Sequence, residues 1–210
     1  MSSDQLPPNL PRPYKEDHTN LIYNLLFCDE PELFRSAGAK SPIDVLFRNP
    51  PDNEAVQRLA LDEKAESRAR AVAFHWLLRH EVVVPTKILL GAIVEVPQPS
   101  GLDTLAAYAD ETVRYINQSR KMSVFEAAPS AVSKSVRAVM TASQNTVNQL
   151  GPWDKARLPA PSVQGKVRLS FIVSDGLYFW EGPFEAISPD AVGGPVLGAA
   201  SQLLQAVVSA

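Results

Sequence analysis

The three histidines are the residues of this sequence best suited to bind a metal ion, but their spacing does not bring them together. His75 and His80 are five residues apart, so on a helix their side chains point about 140° apart and cannot share a metal from one face. His18 lies far away in the chain, and no H-E-x-x-H or C-x-x-C pattern occurs. A glycine-rich phosphate loop is also missing from the sequence. We therefore predict neither a metal site nor a cofactor.

Two further residues have side chains that could take part in covalent or acid–base chemistry. Cys28 precedes Asp29 and Glu30, whose negative charges raise a thiol pKa and discourage the nucleophilic thiolate. We predict that Cys28 is a small core residue. Glu181 follows Trp180, and a carboxyl group beside a large aromatic side chain can serve as a general acid. Glu181 is thus a weak candidate catalytic residue, with packing at a strand end as the alternative, and we favour a protein that is not an enzyme.

Positive charge is concentrated between residues 112 and 168. This segment has nine Lys or Arg residues and two acidic ones, whereas residues 169–210 have four acidic residues and no basic one. Such a segment can form an anion-binding face, and an aromatic side chain within it can stack on a ring. The alternatives are that it contacts the chain's own acidic ends or is a solvated face. The candidate anion-binding residues are Arg114, Lys121, Trp153, Lys155, Arg157, Lys166 and Arg168.

Residues 191–210 carry no charged side chain. A membrane anchor would need about 20 predominantly apolar residues, but Gly193, Gly194 and Pro195 interrupt the start of this segment. We therefore predict a buried helix at 195–208 and no membrane contact. Because a surface helix normally has a charged face, we expect this one to be covered on more than one side. The cover is either its own domain or a second copy of the chain in a homodimer.

The order of sequence patterns predicts three regions. Residues 1–14 are rich in proline and predict a flexible arm. Residues 15–84 have helical periodicity, with Thr19 as the expected cap of the first helix, and are expected to pack on the core of a sheet domain at 85–210. The apolar fraction of 45% is ordinary for a protein with a real core, so 15–84 and 85–210 are expected to form one globular unit.

The sheet domain is predicted to be mainly antiparallel. Four apolar runs between residues 88 and 125, separated by short turns, favour a four-strand meander. A helix at 130–150 follows, and then a hairpin in which Asp175 and Gly176 form the turn. With the helix at 195–208, the fold class is α+β with an N-terminal helical region. We expect the helices to cover one face of the sheet.

These patterns predict a class of function more readily than an activity. The single cysteine and the absence of an export signal predict a cytoplasmic protein. The net charge of −3 makes a nucleic-acid partner an unfavoured interpretation. The first hypothesis is a non-catalytic protein-interaction or scaffold module, whose partner is another protein or a second copy bound through 195–208. The alternative is a binder of a small anionic ligand or nucleotide, possibly enzymatic, that uses the basic segment 112–168.

Overall fold

An antiparallel sheet of six strands runs through the computed structural model, which describes residues 6–38 and 40–210. The strands are β1 (Leu89–Gln98), β2 (Gly101–Tyr108), β3 (Val113–Ile116), β4 (Met122–Phe125), β5 (Lys166–Val173) and β6 (Gly176–Pro183). Their order across the sheet is β4-β3-β2-β1-β5-β6. The first four strands form the predicted meander, and β5 pairs with the free side of β1. The α+β class with a mainly antiparallel sheet is thus confirmed.

The helices precede, interrupt and follow the strands. They are α1 (Asp17–Leu25), α2 (Pro31–Ser36), α3 (Asn53–Leu61), α4 (Ser67–Arg79), α5 (Ser130–Gln149), α6 (Phe184–Ile187) and α7 (Gly194–Val208), with a 3-10 helix at Ile43–Phe47. The Asp52 carboxylate caps α3 by accepting a hydrogen bond from the Ala55 amide at 2.9 Å. The cap predicted at Thr19 is wrong, because α1 begins at Asp17 after an extended Glu16. Among the described residues, no helix has the length and apolar character needed to cross a membrane.

Helices cover both faces of the sheet, which corrects the expectation that they cover one. The N-terminal helices α1 to α4 pack on the face that carries Leu90 and Ile93 of β1. Helices α5 and α7 pack on the face that carries Ala92 and Val94. Successive side chains of a strand point to opposite faces, and an irregularity in the pairing between Leu89 and Gly91 places Leu90 on the same face as Ile93. Strand β1 therefore contributes to two separate cores and is buried along most of its length. The result is three layers with the sheet in the middle.

Residues 6–14 pack against the rest of the protein, although the sequence predicted a flexible arm over 1–14. Leu6 and Leu10 are buried in a cluster with Leu33 of α2. The Tyr14 hydroxyl donates a hydrogen bond to the Leu102 carbonyl oxygen at 3.1 Å, so the segment also reaches the sheet. Two isolated leucines among prolines give no periodic signal, yet burying each of them is favourable. The rest of the predicted arm, residues 1–5, lies outside the described residues.

A buried polar contact joins α1 to the centre of the sheet. Glu95 of β1 is 0% exposed, and its carboxyl group accepts hydrogen bonds from the hydroxyls of Tyr23 at 2.7 Å and Ser170 at 3.3 Å. Burial raises the pKa of Glu95, while the hydrogen bond from Tyr23 and the charge of Arg168 act in the opposite direction. Because an unpartnered buried carboxyl is costly, this contact requires that α1 stay docked over β1.

The hairpin between β5 and β6 is present, but its turn lies one residue earlier than predicted. Val173 pairs with Gly176, so Ser174 and Asp175 form the two-residue turn. Gly176 instead begins β6 with a φ of +134°, which residues with a Cβ rarely adopt. Glycine is therefore required just after the turn rather than within it.

Replacing Gly176 by Val should lower the free energy of unfolding by about 1 kcal/mol or more, because valine disfavours a positive φ. The new Cβ would lie 3.4 Å from the Pro152 Cβ, an ordinary contact, so backbone conformation is the expected cause. The measurement is the midpoint of urea unfolding. Gly151→Val is the matched control, since a Cβ there meets open space at an ordinary φ and should leave the midpoint unchanged. Equal midpoints for the two variants would contradict this account.

Candidate functional site

A cleft of about 330 Å³ lies where the helical layer meets the β5–β6 hairpin. Its walls come from the residues after α1, from α4, from the loop after α5 and from the hairpin itself. This volume is at the lower end of the range for ligand pockets. The charged and polar lining residues are Asp29, Glu30, His75, Arg79, Lys155, Arg157 and Asp175, and the large apolar ones are Leu78, Trp153, Leu177 and Phe179.

Trp153 forms a fixed aromatic wall of the cleft. Its backbone amide donates to the Leu177 carbonyl oxygen at 2.8 Å, and its indole Nε1 donates to the Ala156 carbonyl oxygen at 3.0 Å. The Phe179 ring lies edge-on, with the ring centres 6.0 Å apart. Lys155 Nζ stands 5.6 Å from the centre of the indole ring, within reach of a cation–π interaction. Trp153 is 38% exposed, so part of this wall faces solvent.

Arg157 connects the loop after α5 to the end of α1. Its guanidinium donates to the side-chain oxygen of Asn24 and lies 4.2 Å above the centre of the Phe27 ring. The nearest carboxylate is that of Asp29, at 3.3 Å, and both side chains are largely buried. Burial raises the pKa of Asp29, and the charge of Arg157 counteracts this shift. Arg157 thus holds two structural elements together at the floor of the cleft.

A second pair of charges lies nearer the solvent. Arg79 of α4 forms an ion pair with Glu30 at 2.8 Å and donates to the Asp29 carbonyl oxygen at 2.7 Å. The Glu30 side chain remains 29% exposed. Lys155 is exposed and forms no ion pair with any described residue. The cleft therefore combines the Arg79–Glu30 ion pair, the Asp29 carboxylate beside Arg157, and Lys155, which forms no ion pair with a described residue.

His75 of α4 is a buried imidazole in the wall of this cleft. Burial lowers its pKa from 6.5 to about 4, and the positive charge of Arg79 adds to the shift. The ring is therefore neutral at pH 7. Its Nε2 atom is buried and has no hydrogen-bond partner among the described residues, although neutral imidazole can donate and accept.

Buried side-chain atoms without a hydrogen bond are concentrated around this cleft. The described residues contain five such side-chain atoms, and three of them belong to lining residues: Asp29 Oδ1, His75 Nε2 and Arg157 Nε. Nearly all buried polar atoms in native proteins have a partner, so each exception calls for an explanation. Asp29 Oδ1 lies 3.3 Å from an Arg157 nitrogen, so the two charges compensate each other, whereas His75 Nε2 and Arg157 Nε have no hydrogen-bond partner among the described residues.

The structure brings together three of the seven predicted anion-binding residues, namely Trp153, Lys155 and Arg157. Arg114 lies elsewhere, on β3, where it is buried and forms an ion pair with Glu126 at 2.5 Å. Lys121 is exposed in the turn before β4. These two residues do not line the cleft, so the basic segment 112–168 is not one continuous surface.

Lys166, Arg168 and Glu181 form a separate group on the paired strands β5 and β6. Arg168 lies opposite Glu181 in the register, and its Nε donates to the Glu181 carboxylate at 2.8 Å. Lys166 lies 3.8 Å from the other carboxylate oxygen. Glu181 is thus held between two cations and does not line the cleft. Its contacts are those of a cross-strand ion pair.

Cys28 is fully buried, as expected of a core residue. Its thiol pKa is raised to about 12, mainly by burial, and Asp29 adds a smaller contribution. The sequence suggested the direction of this shift through the neighbouring carboxylates, but desolvation is the larger cause. Within residues 6–38 and 40–210, no group of three or more His, Cys, Asp or Glu side chains could hold a metal ion.

No sequence pattern selects four of the cleft residues: Glu30, His75, Arg79 and Phe179. They come from three segments that are far apart in the chain, and only the docking of α4 beside the hairpin makes them neighbours. The spacing of His75 to His80 argues only against a shared metal ion. A partial signal did exist, since His75 lies inside the run Ala71–Leu77 of α4, whose other members are all apolar, and all seven residues are buried.

A second cavity of about 210 Å³ lies on the opposite face of the sheet, beside α7. Val94, Leu105, Leu197 and Leu204 line it, and Phe184 at its edge is 44% exposed. We call it the α7 groove. Its lining is mostly apolar, with few polar side chains, which is typical of a surface that receives an apolar group.

Comparison of the chain with protein-family models, with curated protein sequences and with solved structures finds no match.

Lowering the pH from 7 to 5 should destabilise the protein through His75, by about 2 kcal/mol. The imidazole titrates near 6.5 when unfolded and near 4 when folded, so the unfolded state binds the proton first. The stabilisation is therefore complete above pH 6.5 and is lost as the pH falls towards 4.

The measurement is urea unfolding of the wild type and of His75→Gln at both pH values. The variant lacks the titrating imidazole, so the difference between the two proteins isolates this residue from other buried groups. The pH dependence of the variant should be smaller by about 2 kcal/mol. Identical pH dependence in both proteins would show that His75 titrates normally in the folded state.

Proposed function

We propose that this chain is a binding protein that holds a small organic molecule with an acidic group in the cleft. The observation that carries the proposal is Lys155, an exposed lysine with no ion pair among the described residues, which stands 5.6 Å from the centre of the Trp153 ring in the lining of the cleft. An ammonium beside an aromatic wall can bind the acidic group of a molecule whose apolar part packs on the ring. A binder of a small anionic ligand is the alternative that the sequence left open.

Lys155 supports an acidic group on the ligand. It is an exposed cation with no ion pair among the described residues, and it stands beside the fixed ring of Trp153. An ammonium in this position can form a charge-assisted hydrogen bond with a carboxylate or phosphate. The indole offers a preorganised surface for the apolar part of the molecule, which reduces the entropic cost of binding.

The proposal is of binding rather than of catalysis. The residues that line the cleft supply cations, carboxylates, an imidazole and apolar side chains, and none of them is a serine, threonine or cysteine. Glu181, the candidate general acid, lies on the edge strand β6 in contact with Arg168 and Lys166 of β5. These positions support a site that selects and holds a molecule.

Replacing Lys155 by Ala should weaken ligand binding about tenfold or more, because it removes a charge-assisted contact. Thermal shift with a panel of aromatic carboxylates, aliphatic carboxylates and nucleoside monophosphates, each at millimolar concentration, identifies the ligands. Calorimetry then gives their affinities for the wild type and the variants. Lys134→Ala is the matched control, since Lys134 is an exposed lysine on α5 outside the cleft. A panel without effect on the melting temperature, or full affinity in Lys155→Ala, would contradict the proposal.

A protein-interaction module is the second candidate function, favoured by the α7 groove and by the uncharged helix beside it. Leu197 and Leu204 of α7 line the groove, whereas Gln202 and Gln205 are exposed on the same helix. The outward side of α7 thus has no charge to oppose contact with another apolar surface. We propose a second copy of the chain as this partner, because closed two-fold dimers are the commonest assemblies.

If α7 lies in a homodimer interface, the double variant Gln202→Glu, Gln205→Glu should dissociate the dimer. Two carboxylates from each copy would then face one another in a poorly solvated interface, which is unfavourable. Light scattering at micromolar concentration measures the mass of both proteins. Both residues are exposed, so the variant should remain folded by circular dichroism. A wild type of monomer mass would rule out this interface.

A further inference from the structure

The charges of the cleft are balanced. Its lining contains three cations, Arg79, Lys155 and Arg157, and three carboxylates, Asp29, Glu30 and Asp175. The imidazole of His75 is neutral at pH 7 because burial lowers its pKa to about 4. A ligand with a large net negative charge, such as a phosphate dianion, would therefore meet as many repulsive groups as attractive ones. A molecule with one charge of each sign fits this wall better.

The groups differ in how far they are already engaged. The Asp175 carboxylate accepts hydrogen bonds from the Tyr178 hydroxyl at 2.9 Å and from the Lys87 amide at 3.2 Å. Asp29 is buried against Arg157. Lys155 has no ion pair with a described residue, and Glu30 is partly exposed with a single ion pair, to Arg79. Lys155 and Glu30 are thus the cation and the carboxylate best placed to receive the two charges of a ligand.

The apolar part of the cleft lining is mainly aromatic, and the cleft itself is small. Trp153 and Phe179 form an edge-to-face pair, with an angle of 90° between their rings, and Leu177 lies beside them in the lining. Aromatic side chains pack favourably against a third ring. A cleft of about 330 Å³ is at the lower limit for a drug-sized molecule, so a single ring with a short charged group is the matching size.

We propose that the ligand of the cleft is a small zwitterion with one aromatic ring, the chemistry of a free aromatic amino acid. Its carboxylate contacts Lys155, its ammonium contacts Glu30, and its ring packs against Trp153 and Phe179. This inference rests on the proposed function, since it names the class of molecule that the cleft holds. It adds to the proposed function that the ligand also carries a positive charge and an aromatic ring.

Calorimetry with five simple, commercially available molecules separates the contributions of the carboxylate, the ammonium and the ring. The first probe is L-phenylalanine, which has all three. N-acetyl-L-phenylalanine keeps the ring and the carboxylate, L-phenylalaninamide keeps the ring and the ammonium, phenyl phosphate is a ring with a phosphate, and L-alanine is a zwitterion without a ring. The affinity of L-phenylalanine should be higher than that of each other molecule by about tenfold or more, since each of them lacks one contact.

The variant Glu30→Gln tests the position of the ammonium. It should weaken L-phenylalanine about tenfold, to the level of N-acetyl-L-phenylalanine, and leave the affinity for N-acetyl-L-phenylalanine unchanged. Glu32→Gln is the matched control: Glu32 is two residues away, exposed, and in an ion pair with Arg35 at 3.3 Å. Thermal melting of both variants shows whether the loss of either ion pair disturbs the fold. If Glu30→Gln weakens the zwitterion and the anion equally, Glu30 has only a structural role and the inference is wrong.

The outcomes distinguish this inference from the proposed function. If N-acetyl-L-phenylalanine or phenyl phosphate binds as tightly as L-phenylalanine, the inference that the ligand is a zwitterion is wrong. The proposal that the cleft binds acidic molecules is then still supported. If L-alanine binds as tightly as L-phenylalanine, the inference that the ligand carries an aromatic ring is wrong. If none of the five binds at millimolar concentration, the inference is overturned, and the wider thermal-shift panel decides whether the cleft holds any acidic molecule.

Discussion

The contact between Tyr23 and Glu95 is the interaction on which the arrangement of the layers depends. Glu95 lies in β1, the strand that both halves of the sheet share, and is 0% exposed. A carboxyl group at the centre of a sheet is tolerated only when hydrogen-bond partners replace water. Tyr23 supplies one partner from α1 and Ser170 supplies the other from β5. The helical layer therefore cannot leave this face without exposing the apolar core and uncovering the Glu95 side chain.

The cleft is a consequence of the same docking. Once α1 lies over β1, its C-terminal end brings Asp29 and Glu30 towards the β5–β6 hairpin, and Arg157 closes the gap by bonding to Asn24. The cleft thus has one wall from the helical layer and one from the sheet layer. A molecule bound there contacts both, so binding and the stability of this interface are thermodynamically linked. A preformed pocket at the junction of two layers is a common place for a ligand.

Local patterns predicted the elements well where the signal is periodic and short-range. The meander, the helix at 130–150 and the hairpin follow from alternation, helical spacing and turn residues, and the structure contains all three. The predictions are wrong where a contact between residues far apart in the chain determines the local structure. Leu6 and Leu10 have no periodic neighbours, and Leu33 is the residue that buries them. The turn at Ser174 and Asp175 differs by one residue because the pairing of Val173 with Gly176 sets the register.

By itself, the sequence determined the class of fold, the succession of helices and strands, and a basic segment with Trp153, Lys155 and Arg157 close together in the chain. Only the tertiary structure decided that helices cover both faces of the sheet, and that His75, Arg79 and Glu30 join that segment in one cleft. The physical reason is that hydrophobic burial is non-directional. An apolar stripe predicts that a helix packs, whereas the partner it packs on depends on the shape and hydrogen bonding of the whole chain.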